Sequence, residues 1–468
     1  MQRTAWSHGQ RLLTAGLVFM VTAIAFEGLA IPTVLPATLD DLGGLVLYGW
    51  AFSAFWLTNL VGITLAGLEA DRRGPLLPFV AGTICFALGL AVAGLAPSMA
   101  WVVAGRAIQG LGAGAIGSVT YVAIARGYSS EAQPRMIAVI SSAWVLPGLL
   151  GPALAGYITE ATSWRWAILG LAPLLPLAAL AVAGPMSRLG VAVPARSPGG
   201  AVGKVRDAFQ LAVGAAVLLG SLSAPSLLLG APAAIVGVLL VRGPLQRLLP
   251  PGTLSARPGP GAAVVVLALV SASFLGVEAF VPLAVSSIRG AGPIAGGLAL
   301  TAAAVTWATG SWLQARLAPR RSRRALTAAG LLLVMVGIAL ETLVPLTAVP
   351  AVALAAFAWA VAGLGMGLAY STATLVIIET APVGGEGGAS AAAQLANTLG
   401  IAVGTGLAGG VVSLSASTIL GLAPGIAIAN LLLIVAAAIG LAIVGRMPDR
   451  PPERRTRRMP ATDHGPTL

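Results

Sequence analysis

Three ionisable side chains sit where water should be scarce. Glu27 and Glu278 lie inside long apolar stretches, and Arg106 is the one basic residue within any of them. A charge at the centre of a bilayer costs at least ~2.5–3.5 kcal/mol on insertion scales, so each must face a wet cavity or a partner. Burial disfavours the ionised form of a carboxyl group. An acid in that setting can hold either a proton or a cation, and swapping one for the other is antiport chemistry. A structural acid hydrogen-bonded to a neighbouring helix uses the same residue type. Arg106 is always charged, and an interhelical ion pair is its simplest role. Gln109 lies one turn further on the same helix face and could line a cavity with it.

The elements that hold these residues follow from composition. Apolar residues make up 57% of the 468, glycine adds 60 more, and charged residues are only 9%. About a quarter is usual for a soluble domain. The mean hydropathy of +0.93 describes an integral membrane protein that crosses the bilayer many times. A soluble enzyme, a nucleic-acid-binding domain and a disulfide scaffold are excluded. The net charge of +12 comes from arginines in short connections, plus Lys204. It points to positive loops on the cytoplasmic side rather than to nucleic acid. The lone Cys85 reads as a packing residue. His8 and His464 lie in the tails, so neither a metal site nor a cofactor is expected.

About 20 apolar residues cross a bilayer as helix. Six such stretches fill an N-terminal bundle, 1–186: roughly 12–36, 46–68, 76–96, 99–125, 136–158 and 165–186. The first is too long for a signal-peptide core and reads as an uncleaved span. Six more fill a C-terminal bundle, 262–445: about 262–287, 294–315, 325–345, 350–378, 389–412 and 424–445. Between them, 187–261 carries two polar links around an apolar stretch, 208–241. As one helix that stretch would be roughly 50 Å long, too long for one span. A two-helix hairpin turning near 223–226 fits better, giving fourteen transmembrane helices in all. The basic tail 446–468 and both termini are placed in the cytoplasm. On that reading every Lys and Arg except Arg106, Arg165 and Arg289 lies on the cytoplasmic side, as the positive-inside rule requires. The hairpin carries no charge within the membrane, and proton coupling is not expected to need it.

The two halves repeat. Glu27 precedes Pro32 in the first span as Glu278 precedes Pro282 in the seventh of the twelve bundle spans. Arg106-Ala107-Ile108-Gln109-Gly110-Leu111-Gly112-Ala113-Gly114 aligns with Trp359-Ala360-Val361-Ala362-Gly363-Leu364-Gly365-Met366-Gly367. Pro147, Gly151, Ala155 and Gly156 align with Gly400, Gly404, Ala408 and Gly409. The fold class is therefore all-α, with two pseudo-symmetric six-helix bundles facing each other. In secondary transporters such an interface holds the substrate near the midplane.

The loop Gly67-Leu68-Glu69-Ala70-Asp71-Arg72-Arg73-Gly74 resembles the Gly-x-x-x-Asp-Arg-x-Gly signature of the major facilitator superfamily. Arg106 with Gln109 and Gly110 resembles that superfamily's second motif. Pro147-Gly148-Leu149-Leu150-Gly151-Pro152-Ala153-Leu154-Ala155-Gly156 is similar to its antiporter motif, with Pro147 and Ala155 at two glycine positions. Trp164-Arg165-Trp166, and Ala389-Ser390-Ala391 with Gln394 and Gly400, resemble the fourteen-helix drug:proton antiporter branch. That branch usually has an Asp in its first span, where this chain has Glu27.

The resemblance implies a proton-coupled exporter of amphipathic small molecules, cations among them, working by alternating access in the plasma membrane as a monomer. Glu27, Arg106, Gln109 and Glu278 would carry proton and substrate, Arg106 tuning a nearby acid. Gly67, Asp71, Arg72 and Gly74 would form a gate. Pro147, Gly148, Gly151, Pro152 and Gly156 would shape a low-leak helix. Trp56, Asn59, Tyr121, Trp144, Trp307, Tyr370, Gln394 and Asn397 are candidate cavity residues; packing or lipid contact suits each as well. Glu341 and Glu160 read as external-face residues, and Glu379 and Glu386 as solvated loop charges. An exporter of one endogenous product, such as a lipid, siderophore or sugar derivative, fits the same residues, as does a proton-coupled nutrient importer. No Gly-x-x-x-x-Gly-Lys-Ser/Thr phosphate loop is present for ATP.

Overall fold

The computed structural model describes residues 8–129, 131–190, 198–222, 227–381 and 386–449. The expected hairpin joint at 223–226 and nearly all of the basic tail lie outside them. Among the described residues the regular structure is helical. The first half comprises α1 (His8–Leu42), α2 (Tyr48–Arg73), α3 (Leu76–Gly94), α4 (Met99–Gly127), α5 (Gln133–Ser142), α6 (Val145–Ala161), α7 (Trp164–Leu169) and α8 (Leu174–Ser187). The centre holds α9 (Pro198–Ser221) and α10 (Leu227–Leu248). The second half comprises α11 (Pro260–Glu278), α12 (Val281–Leu283), α13 (Gly292–Leu317), α14 (Arg323–Glu341), α15 (Ala351–Glu379), α16 (Glu386–Ala416) and α17 (Leu422–Ile443).

Three expected spans are interrupted, each within the four residues before a proline. Proline has no N–H to return to the carbonyl four residues back, and its ring crowds that carbonyl. Thus Pro147 divides the fifth span at Ala143–Trp144, Pro173 the sixth at 170–173, and Pro282 ends α11 at Glu278. Beyond that break the chain makes α12 and a π-turn, Ala284–Ile288. By contrast, α1 runs unbroken through Pro32 and Pro36.

Glycine spacing in the fourth span of each half sets the packing, and the two halves do it alike. A Cβ on Gly110 or Gly114 would meet the α2 backbone at Phe55 or Asn59 at 2.1–2.2 Å; on Gly363 or Gly367 it would meet α13 at Ala303 or Trp307 at 2.4 Å. Gly112 lies as tightly against Gly82 and Phe86 of α3, and Gly365 against Gly330 and Val334 of α14. The aligned motifs therefore occupy equivalent places in two related bundles.

We call the end where α1 begins the near end, and the end where it finishes the far end. The bundles meet along two seams, α6 with α13 and α2 with α16. At the far end these seams are closed at backbone distance. Notional Cβ atoms on Gly49 and Gly409 would lie 2.7 and 2.6 Å from each other's Cα atoms, and one on Gly156 would lie 2.8 Å from Ile294. Ser53 donates to the Ala402 carbonyl (2.9 Å) and pairs with Thr405 (3.0 Å). The Ile294 N–H donates to Glu160 Oε1 at 2.9 Å, and the Tyr48 hydroxyl donates to the Ala279 carbonyl at 3.2 Å.

Among the described residues, thirteen helical stretches are long and apolar enough to cross a membrane. Helix α9, which carries Lys204, Arg206 and Asp207 early on, is not among them. It pairs closely with α10 all the same: Gly214 abuts Leu240 and Val241, and Gly237 abuts Leu218. Arg247 grips Asp207 through two bonds of 2.8 and 2.7 Å. This hairpin is not confined to the link. Ala212, Ala215 and Leu219 of α9 form a buried cluster with Leu57 and Val61 of α2 and Ala402 of α16. It bears on both bundles at once, across a seam.

Candidate functional site

In the first half, α1 brings Glu27, α4 brings Arg106 and Gln109, and α2 brings Ala51 and Phe55 to one buried point. Glu27, Arg106 and Gln109 are 3%, 2% and 0% exposed. Arg106 Nη1 donates to Glu27 Oε1 and, at 2.7 Å, to Gln109 Oε1; Nε donates to the Ala51 carbonyl at 2.9 Å. The guanidinium carbon lies 4.2 Å from the centre of the Phe55 ring. The α2–α4 contact is pinned beside it, where Thr58 donates to the Ala107 carbonyl at 2.7 Å. The cation thus has a carboxylate, an amide oxygen, a carbonyl and an aromatic face around it. Glu27 Oε2 and Gln109 Nε2 are buried without a hydrogen-bond partner. Among the described residues, that leaves one open acceptor and one open donor in the same constellation. A proton on Glu27 would remove the charge that holds Arg106.

The second half places its acid differently. Glu278 ends α11 at the break, and Trp359 Nε1 donates to its Oε2 at 3.3 Å. Trp359 occupies the position that Arg106 holds in the first half, so an indole replaces the guanidinium. It stacks on Phe274 (4.8 Å between ring centres); Phe274 meets Trp307 edge-on (5.5 Å), and Trp307 meets Tyr370 (5.7 Å). Asn397 accepts from Ser271 at 2.8 Å nearby on the same helix pair, α11 and α16. An acid ending an aromatic row suits a lipophilic cation.

The remaining expectations divide. Trp307, Tyr370 and Asn397 join the second-half cluster, Asn59 is buried against α4, and Trp56 packs edge-on to Phe55. Tyr121 is exposed but lies near Tyr370, at the end of that aromatic row; Trp144 and Gln394 are exposed. The antiporter-type residues Pro147, Gly148, Gly151, Pro152 and Gly156 are all buried in α6. There Gly151 faces Phe26 of α1, and Gly148 and Gly156 face α13, so the motif forms half of a seam.

The gate-like loop makes its contacts inside the first bundle. Asp71 pairs with Arg126 at 2.9 Å, Glu69 with Arg73 at 3.0 Å, and Arg126 also donates to the Ala70 and Gly190 carbonyls. Gly67 leaves room for Ser118. Gly74 has φ +87°, a conformation that glycine adopts without strain, and Arg72 is exposed. The Asp71 side chain is 67% exposed, and exposed pairs contribute ~0–1 kcal/mol. Asp71→Asn should therefore leave unfolding almost unchanged yet slow transport several-fold, as initial efflux rates will register, because small free energies decide between two states of a gate.

Two acids are more enclosed than their sequence positions suggest. Glu379 is no free loop charge: Arg323 grips it at 3.0 and 3.3 Å, fastening α14 to α15. Glu341, expected on the external face, does end α14 at the far end, but it is buried there, 1% exposed. Trp359 and Phe274 were missed as partners of Glu278. The alignment of Trp359 with Arg106 was the signal for the first.

Residues 14–405 match the family model of the major facilitator superfamily. A probable multidrug-efflux transporter of Mycobacterium tuberculosis is 29% identical over 417 residues, spanning 86% of this chain and 88% of its own length. A multidrug transporter protein of Bacillus subtilis is 28% identical over 155 residues, 33% of this chain and 29% of that one. Among solved structures, an auto-inhibited peptide transporter of the POT family superposes with a TM-score of 0.68 at 16% identity, covering 96% of this chain and 99% of the other. A bacterial homologue of the human lysosomal transporter Spinster gives 0.63 at 14% identity, covering 94% and 98%. The last two are likenesses of fold.

Proposed function

Because this chain belongs to the major facilitator superfamily, we propose that it is a proton-coupled exporter that moves amphipathic small molecules, cations among them, out of the cell in exchange for protons. The observation that carries this reading is the buried Glu27–Arg106–Gln109 constellation, in which the acid keeps one oxygen unpartnered. The relatives named for multidrug efflux support it, as does the aromatic row ending at Glu278.

With the near end in the cytoplasm, as the arginine distribution favours, the closed far end faces outward. Substrate then enters from the cytoplasm or the inner leaflet while Glu27 is charged and held by Arg106. Opening the far end releases the substrate and admits a proton to Glu27, which frees Arg106. Return to the present state delivers that proton inward. Each turn exchanges one proton per participating carboxyl, and one chain holds both bundles that must move, so a monomer suffices.

The test is transport in proteoliposomes under an imposed pH gradient, with a panel of lipophilic cations and neutral amphiphiles. Wild type should accumulate some of them, and Glu27→Gln should lose accumulation. If Glu27→Gln stays coupled while Glu278→Gln does not, the exchanging acid is in the second half. A wild type that moves nothing on the panel points to one dedicated endogenous product instead.

A further inference from the structure

Glu341 ends α14 and is 1% exposed, with both carboxyl oxygens lacking any hydrogen-bond partner. It belongs to neither cluster described above. Its depth follows from the packing of α11, α14 and α17. A Cβ on Gly440 of α17 would lie 3.6–3.7 Å from Leu269 of α11 and Leu331 of α14, so these three residues share a level. Ten residues towards the far end, about 15 Å of helix, α14 reaches Glu341, α17 reaches Asn430, and α11 reaches its break at Ala279. Seven residues along both helices, a Cβ on Gly276 of α11 would lie 2.9 Å from the Leu433 side chain of α17, which keeps the register. Asn430 is itself 1% exposed, and its Nδ2 has no partner. An orphaned acid and an orphaned amide thus lie at one level, beside the interrupted helix.

No cation compensates this acid among the described residues. Helix α17 carries no charged residue, and the one acid of α15, Glu379, is at the opposite end with Arg323. The charged group of α11 is Glu278, a second acid. At the rim, Arg289 donates to the Val349 carbonyl at 3.1 Å. An ionised carboxylate buried without a partner or hydrogen bonds is strongly disfavoured, so the acid is neutral in this state. The break in α11 lies under the Tyr48–Ala279 contact. Parting that contact, as opening the far end must, brings water to the level of Glu341.

We propose that Glu341, buried at the level of Asn430 and of the break in α11, is a second proton-binding site, neutral while the far end is closed and titrated when it opens. This rests on the exporter reading for its role in transport, but not for its protonation.

Infrared difference spectra of the full-length protein in lipid test the protonation directly. At neutral pH the wild type should show a protonated-carboxyl band that shifts in Glu341→Asp and disappears in Glu341→Gln. In a Gly409→Val background, which keeps the far end from closing, the same band should titrate with pH. In vesicles, Glu341→Gln should flatten the dependence of transport on the pH at the far end while leaving substrate exchange without a gradient intact. The proposal is overturned if the band survives in Glu341→Gln, if it is insensitive to pH in both backgrounds, or if the pH dependence of transport is the same in Glu341→Gln as in the wild type. If wild-type vesicles show no gradient-driven transport, the exporter reading falls, and the infrared titration alone decides the site.

Discussion

Arg106→Met should be among the most destabilising single changes in the protein. It would leave Glu27 buried without its cation, and breaking a buried pair from one side costs about 3–5 kcal/mol. Glu27→Gln should cost less, because Arg106 keeps Gln109, the Ala51 carbonyl and the Phe55 ring. Combining the two changes should restore most of the loss, since no unpaired charge remains. Thermal unfolding of the purified variants, read as a double-mutant cycle, checks this. If the two losses simply add, the pair is not an energetic unit, and the account of how a proton releases Arg106 fails with it. All three variants should have lost gradient-driven transport, so stability and coupling separate in the double variant.

The second large effect concerns the seam between α2 and α16. Gly409→Val would drive a side chain into the backbone of Gly49, where a single Cβ already lies 2.6 Å from its Cα. Each bundle should still fold, because the clash lies between bundles. Overpacking of this kind costs roughly 1–3 kcal/mol, and a backbone neighbour cannot yield as a side chain does. The cost falls on the far-end-closed state alone, so that state is depopulated and transport should drop by about tenfold or more. Ser53 reports the change. It is fully buried in the closed seam, so Ser53→Cys, made after Cys85→Ser, should resist an impermeant thiol reagent in the wild-type background and react in Gly409→Val. Wild-type transport by Gly409→Val would show that the two ends do not alternate as described.

Much of this was readable from residue types alone. Glycine at 110, 112 and 114 and again at 363, 365 and 367 announced equivalent helix crossings, because only a missing side chain permits such approaches. Glu27 and Arg106 could be paired in advance, since two intramembrane charges at similar depth seek each other. Other features depended on relations between helices that a linear pattern does not carry. Glu341 ends an apolar run, where a rim residue and a buried one look alike, and only the packing of α11, α14 and α17 separates them. Glu379 and Arg323 stand 56 residues apart and meet through the α14–α15 crossing. The seat of α9 on Leu57, Val61 and Ala402 followed from neither its charge nor its length. The helix breaks had a usable signal, since Pro147, Pro173 and Pro282 each release a carbonyl four residues back. Pro32 and Pro36 in α1 show that the signal is not sufficient.

The Glu27–Arg106 pair also fixes how the membrane potential enters the cycle. Together the two side chains carry no net charge, so the carrier crosses outward with a neutral substrate without electrical work from this site. Once Glu27 is protonated, Arg106 leaves the site with one uncompensated positive charge, and moving that through the field is worth about 2.3 kcal/mol for each 100 mV. A cell interior that is negative therefore draws the proton-loaded form inward and leaves the outward step with a neutral substrate untouched. The voltage, and not only the proton gradient, would then set the direction in which the transporter turns.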